Sequence, residues 1–220
     1  MHEHQRRIQR IVLVLAAAAW LAAPAAATII DGNVTCCGGA TFVKLTVPLA
    51  NPFGPPNSVG NDTFQSPNLF GFDESQNTAV VGSPLVLDEF SGANMLPVGT
   101  IVASHYIFFD PTSGHVTGTV NFDSDVLGIL TTTSHLAASD YLANTGVNYL
   151  NPAARGLEAG DSVTISGPRQ ILFNTFASTP GDYVRVLTEF SPTAAAPEPG
   201  AGLLVLGGAG LLWLLRVRIA

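Results

Sequence analysis

Apolar and polar residues alternate with a period of two over several short stretches of the chain. In "HVTGTVNF", Val116, Gly118, Val120 and Phe122 fall on one side and polar residues on the other. Thr41 to Val47 alternates in the same way, and "GTIVASHYIFFD" (Gly99 to Asp110) is a longer β-rich run. "DSVTISG" (Asp161 to Gly167), "RQILFNTF" (Arg169 to Phe176) and "DYVRVLTEF" (Asp182 to Phe190) follow in quick succession. A period of two is the spacing of a strand with one buried face, and Gly, Pro, Asn and Asp punctuate every gap. The turns "SGPRQ" and "STPGDY" predict that the last three strands are antiparallel neighbours. Together these stretches predict an all-β domain, an antiparallel two-sheet β-sandwich that is jelly-roll-like. In "HYIFF", either Tyr106 and Phe108 point to the core, or His105, Ile107 and Phe109 do.

Two stretches break the alternation. "TSHLAASDYLAN" is the one helical segment expected in the core, with Ser134 or Ser139 as its cap. "ANPFGPPNSVGNDTFQSPN" (Ala50 to Asn68) is rich in Pro, Gly and Asn and predicts a long surface loop. No internal repeat is present, and no regular Thr-x-Thr ladder of the kind found on a flat β-solenoid face.

The pattern changes again at the two ends. Arg6, Arg7 and Arg10 precede an uninterrupted apolar run from Ile11 to Ala23, followed by Ala25-Ala26-Ala27. This is the layout of a secretory signal peptide over residues 1–27, with Ala25 and Ala27 at the small-residue cleavage positions. The second apolar run covers residues 201–215 and is followed by Arg216 and Arg218. As a helix it extends about 22 Å, short of the roughly 30 Å hydrocarbon core. It can span where the bilayer thins and the arginines snorkel outward. These two apolar termini account for the positive mean hydropathy of +0.34. Between them lie a core, residues 28–190, and a linker, residues 191–196.

Pro197-Glu198-Pro199, the apolar run and then Arg216 and Arg218 resemble a PEP-CTERM sorting signal over residues 197–220. The pairing with an N-terminal signal peptide matches that family, although its basic cluster is denser than Arg-x-Arg. The resemblance implies export in a Gram-negative bacterium and an inner-membrane intermediate recognised by an exosortase. It further implies release to the cell surface or to an exopolysaccharide and biofilm matrix. Some ice-binding proteins carry the same tail, so the tail does not define the core. "DESQN" (Asp73 to Asn77), "SHYIFFDP", "FDSDVLGI" and "GDYVRVLT" resemble a core that recurs in PEP-CTERM proteins, which implies an intact domain and no particular activity.

Charge narrows the partners. The chain carries −7 overall, but residues 28–196 hold only Lys44, Arg155, Arg169 and Arg185 against fourteen acidic residues, a net charge near −10. Nucleic acid and anionic surfaces need clustered Lys and Arg and are therefore excluded as partners. Divalent cations are compatible. Asp123-x-Asp125 is the calcium candidate, since hard carboxylates two apart in a turn can share Ca2+ with backbone carbonyls. Asp73-Glu74 and Asp88-Glu89 offer further carboxylates. Otherwise no cofactor is expected.

The two cysteines, Cys36 and Cys37, are adjacent and followed by Gly38-Gly39. A vicinal disulfide, a free pair and cross-links to another chain are all open to them. No His stands beside the pair in sequence, so a zinc site is not expected. His105 and His115 lie one hairpin apart and could face each other; packed or surface roles are expected for them and for His135. No nucleophile elbow, Walker loop or dinucleotide fingerprint occurs. The reading that leads is an exported, non-catalytic surface or matrix protein associated with exopolysaccharide. Its partners would be signal peptidase, the secretion machinery, an exosortase and extracellular polysaccharide. A carbohydrate-binding module is the alternative, with a shallow aromatic and carboxylate groove. A secreted hydrolase comes third and would need convergent carboxylates, or a His–Asp pair beside a nucleophile.

Overall fold

The computed structural model describes residues 28–190. The signal-peptide and sorting-signal readings, the linker, Ala25 and Ala27, the Pro197-Glu198-Pro199 motif, and Arg216 and Arg218 lie outside those residues. The expected terminal apolar helices do too. Among the described residues, no helix is long and apolar enough to cross a membrane.

Fifteen strands form in chain order: β1 (Ile29–Val34), β2 (Phe42–Lys44), β3 (Ser58–Val59), β4 (Leu69–Asp73), β5 (Thr78–Ala79), β6 (Leu85–Val86), β7 (Glu89–Phe90), β8 (Met95–Leu96), β9 (Ile101–Phe109), β10 (Ser113–Phe122), β11 (Val126–Leu130), β12 (Asn148–Tyr149), β13 (Ser162–Gly167), β14 (Gln170–Ser178) and β15 (Asp182–Glu189). One helix, α1 (Thr133–Ala138), and two 3-10 turns lie between β11 and β13. A four-stranded sheet runs β1-β10-β14-β13, and a larger one runs β2-β4-β9-β15-β11-β7 with β5 paired to β9. The all-β expectation holds, and two sheets enclose a core between them. The expectation of purely antiparallel pairing does not: β2 pairs parallel with β4, and β3 with β12. Parallel neighbours need a long crossover, and residues 45–68 supply one between β2 and β4.

The larger sheet is buried on both faces. Ile107, Phe109, Val184 and Val186 face the small sheet, where they meet Val116, Val120, Ile171 and Phe173. Tyr106, Phe108, Tyr183 and Leu187 face the other way, into a second core closed by Leu49, Phe64, Leu136 and Leu142. This explains why β9 and β15 read as continuous apolar runs rather than clean alternation, as expected of strands covered on both sides. Both sets of alternate residues in "HYIFF" are therefore inside, in two different cores. Val116, Gly118, Val120 and Phe122 share the buried face of β10 as expected.

Residues 50–68 are not the exposed loop expected. Ser58, Val59, Thr63 and Phe64 are buried, and the Phe64 ring lies 4.8 Å from Phe70 and 5.0 Å from Phe108. The Gly and Asn content serves backbone geometry instead: Gly54, Asn57, Gly60, Asn61 and Asp62 all have positive φ, which these residue types tolerate. The helix is capped by Thr132, whose hydroxyl accepts from His135 N at 3.4 Å, rather than by Ser134. Ser139 ends it. The "SGPRQ" turn joins β13 to β14 as neighbours, but "STPGDY" carries the chain from the small sheet to the large one, so β14 and β15 are not paired.

Candidate functional site

The small sheet has one buried face and one open face, and the strand alternation decides which side chains the open face presents. From β10 come His115, Thr117, Thr119 and Asn121; from β14 come Gln170, Leu172, Asn174 and Phe176. Register aligns them, His115 opposite Phe176, Thr117 opposite Asn174 and Asn121 opposite Gln170. One row of side chains hydrogen-bonds across all four strands. Asn121 Nδ2 donates to Asp31 Oδ1 at 2.6 Å, Gln170 Nε2 donates to Asn121 Oδ1 at 2.8 Å, and Ser166 Oγ donates to Gln170 Oε1 at 3.0 Å. In a second row Asn174 Oδ1 accepts from Thr117 Oγ1 at 2.9 Å and stands 2.9 Å from His115 Nε2.

Phe176 is 59% exposed and Leu172 36% exposed, so two apolar side chains stand free beside these amides and hydroxyls. Asp31 is the one carboxylate in the rows described. The arrangement is a nearly uncharged, laterally braced surface of donors and acceptors with an aromatic ring at one end. Amides both donate and accept, and an exposed ring offers a flat apolar face. Such a surface can hold a hydroxyl-rich, uncharged ligand. The Val face of β10 was legible in the sequence, and the same alternation carried the open face as its complement. What the sequence lacked was the register that brings β10, β14 and β1 together.

Cys36 and Cys37 form a disulfide at the end of this face. His115, 78 residues away, reaches both sulfurs: its Nδ1 is 3.8 Å from Cys36 Sγ and 3.7 Å from Cys37 Sγ. A histidine therefore does stand beside the pair, contrary to what local sequence suggests. With both sulfurs engaged in the disulfide, no thiolate is available for a metal.

His105 and His115 do not face each other. His105 is fully buried in the large sheet, with its ring 5.0 Å from Phe122. Its Nδ1 is 2.8 Å from Asp73 Oδ1, and its Nε2 is 3.1 Å from Thr188 Oγ1. Asp73 also accepts from Ile29 N at 3.0 Å and pairs with Lys44 at 2.9 Å. Burial opposes ionisation of Asp73, yet His105, Ile29 N–H and Lys44 together hold its carboxyl well below the usual range. Asp73, His105 and Thr188 have the order of a hydrolytic triad. However, the hydroxyl that would attack is 0% exposed, and only the carboxylate end approaches solvent. The arrangement pins β4, β9 and β15 together.

Glu74 points the opposite way from Asp73, so the adjacent carboxylates do not form a pair. Arg185 Nε and Nη2 donate to Glu74 Oε2 and Oε1 at 2.7 and 3.0 Å, with both side chains 0% exposed. Ser104 Oγ and Tyr149 OH each donate to Glu74 at 2.6 Å. Arg185 Nη1 donates to Ser139 Oγ at 2.6 Å and to Leu136 O at 3.1 Å. Asp88 binds the backbone N–H groups of Thr131 and Thr132 at 2.7 and 3.0 Å and meets His135 Nδ1 at 2.6 Å, while Glu89 lies in β7. Asp123 Oδ1 accepts from Thr28 N at 2.9 Å, and Asp125 pairs with Arg169 at 2.7 Å. Compared with protein-family models, with curated proteins and with solved structures, the chain matches none.

Proposed function

We propose that the chain is an exported protein of the cell surface or extracellular matrix whose core binds a neutral polysaccharide through the open face of the small sheet. The observation that carries this reading is the laterally braced open face, with the row of Asp31, Asn121, Gln170 and Ser166 at one end and Thr117, Asn174 and His115 beside the exposed Phe176 at the other. Interlocked amides are held in place before a ligand arrives, so ordering them at binding takes little entropy. The rows themselves carry one carboxylate, Asp31, in a domain carrying about −10, which suits an uncharged polymer. We read the core as a jelly-roll-like sandwich, because the chain changes sheet at the β9–β10, β10–β11 and β14–β15 corners. The export and sorting readings supply the setting: a signal peptide, an exosortase and a polysaccharide matrix.

Affinity electrophoresis of the full chain tests the core's part. Gels would contain the host's own exopolysaccharide, a neutral β-glucan or anionic alginate. Retardation by a neutral polymer, lost in Phe176→Ala and Asn174→Ala with thermal stability unchanged, is the expected result. Equal retardation of wild type and both variants, or none in any neutral polymer, would refute the assignment of this face. The sorting part is tested separately by intact mass from culture medium and membranes. Loss of residues before about 28 and beyond about 196 is expected, and retention of residues 201–220 would make the tail a permanent anchor.

A further inference from the structure

Glu158 and Asp161 lie on the turn that leads into β13, and Asp182 opens β15. Their carboxylate oxygens all lie within 4.8 Å of one another. Two ligands of one ion at about 2.4 Å can be no further apart than about 4.8 Å, a limit that one oxygen from each of the three residues meets. The turn sets the spacing: Asp161 N donates to Glu158 O at 3.2 Å, with Gly160 at φ +108 between them.

Acidic clusters alone are common, but two buried oxygens here lack partners. Asp182 is 1% exposed and its Oδ2 makes no hydrogen bond; Thr175, also 1% exposed, has a hydroxyl oxygen without a partner. Thr175 neighbours Asp182, though the two oxygens lack hydrogen-bond geometry. Buried oxygens in native proteins are nearly always satisfied by protein, water or an ion. No cation of the described chain compensates the cluster. Lys44 pairs with Asp73, Arg155 with Asp140, Arg169 with Asp125 and Arg185 with Glu74.

We propose that Glu158, Asp161, Asp182 and Thr175 form a Ca2+ site that clips the small sheet to the first residue of β15. The donors are all oxygen, which selects a hard cation over zinc or copper. Three carboxylates at irregular spacing suit the adaptable coordination of Ca2+ better than the strict octahedron of Mg2+. Asp161 Oδ1 already accepts from Phe176 N at 2.7 Å, leaving Oδ2 for the ion. Thr175 and Asp161 belong to the small sheet and its approach, and Asp182 to the large one, so the ion joins the two layers at a corner. This site borders the open face at Phe176, but the proposal does not depend on the polysaccharide reading.

The test is thermal unfolding of the full chain at pH 7.5, after EDTA treatment and dialysis, with CaCl2, MgCl2 or NaCl at matched ionic strength. Wild type is expected to gain about 5–10 °C at a hundredfold excess of Ca2+ over its Kd. Mg2+ should give a smaller gain and NaCl none. Glu158 is exposed, so Glu158→Gln should fold normally and require at least about tenfold more Ca2+ for the same gain. Asp182→Asn should abolish the gain while its EDTA-treated form unfolds no lower than wild type. Calorimetric titration should give one Ca2+ per chain. An equal gain from NaCl would mean simple charge screening. An undiminished gain in both variants would place the ion elsewhere. Either result, or no gain up to 10 mM CaCl2 (a roughly tenfold margin over the weakest extracellular sites), would overturn the proposal.

Discussion

Replacing Arg185 with Met isolates the contribution of the buried ion pair. In the native protein Arg185 and Glu74 share two hydrogen bonds at 2.7 and 3.0 Å, and neither side chain reaches solvent. Methionine fills the guanidinium's aliphatic path but leaves Glu74 with only Ser104 and Tyr149 as donors. It also strips Ser139 Oγ of the donor it accepts from, while Leu136 O keeps its bonds from Ser139 N and Oγ. Removing one partner of a buried pair costs about 3–5 kcal/mol, because the other charge stays desolvated and uncompensated. For a domain of this size each kcal/mol moves Tm by about 2–4 °C, so Arg185→Met should lower Tm by about 6–20 °C. Adding Glu74→Gln should then recover at least about 1 kcal/mol, since a neutral amide carries no buried charge and can accept from one of the Ser104 and Tyr149 hydroxyls while its NH2 donates to the other. Urea unfolding of wild type, both single variants and the double variant closes the cycle. A cost below about 1 kcal/mol for Arg185→Met, or a double variant no more stable than Arg185→Met alone, would refute the account.

Asp110 gives a pH-dependent case. Burial, with Asp62 adding repulsion, raises its carboxyl from the ordinary 3.8 to about 6. A raised folded-state value contributes stability that is complete below about 3.8 and lost as pH rises through about 6, an upper figure of about 3 kcal/mol. Asp110→Asn should therefore stabilise the protein at pH 7.5 and change little at pH 4; thermal scans at both values check this, and a uniform loss would refute it. Asp73 has the opposite sign. Its lowered value contributes stability above the ordinary carboxylate range, so Asp73→Asn should cost about 2 kcal/mol at pH 7, shrinking as pH falls below about 4. A cost independent of pH in denaturant titrations would count against that. Reduction of Cys36–Cys37 encloses no extra chain and should move Tm by less than about 2 °C, with the loss confined to the β1 edge in hydrogen exchange. A global drop in stability would contradict it.

The sequence made the buried face of β10 readable because one period-two pattern sat against one sheet. It hid the layering of β9 and β15, where "HYIFF" offers apolar residues to two cores at once and periodicity cannot choose. Residues 50–68 were misread for a related reason. Gly, Asn and Pro announce special backbone geometry, and that geometry here folds Val59 and Phe64 inward rather than outward. "STPGDY" looks like a hairpin turn, yet a turn's residues do not reveal which sheet the next strand joins. The sites depend on pairings over long separations: His115 with Cys36 and Cys37, and Asp182 with Glu158 and Asp161. Only tertiary register brings those residues together.

The position of β15 governs when this fold can exist. It is the last strand among the described residues, yet it lies in the middle of the large sheet, between β9 and β11. Its partner β9 begins about eighty residues earlier. A chain stopped before residue 182 would leave Ile107 and Phe109 along an unpaired edge, with Glu74 lacking Arg185. No N-terminal portion can finish either core on its own, so assembly waits for the far end and closes loops at high entropic cost. During synthesis the nascent polypeptide must therefore remain open and apolar-exposed for most of its length. Such a chain is slow to collapse into its final state, and it is a natural client for whatever keeps long unfolded segments apart until the last strand arrives.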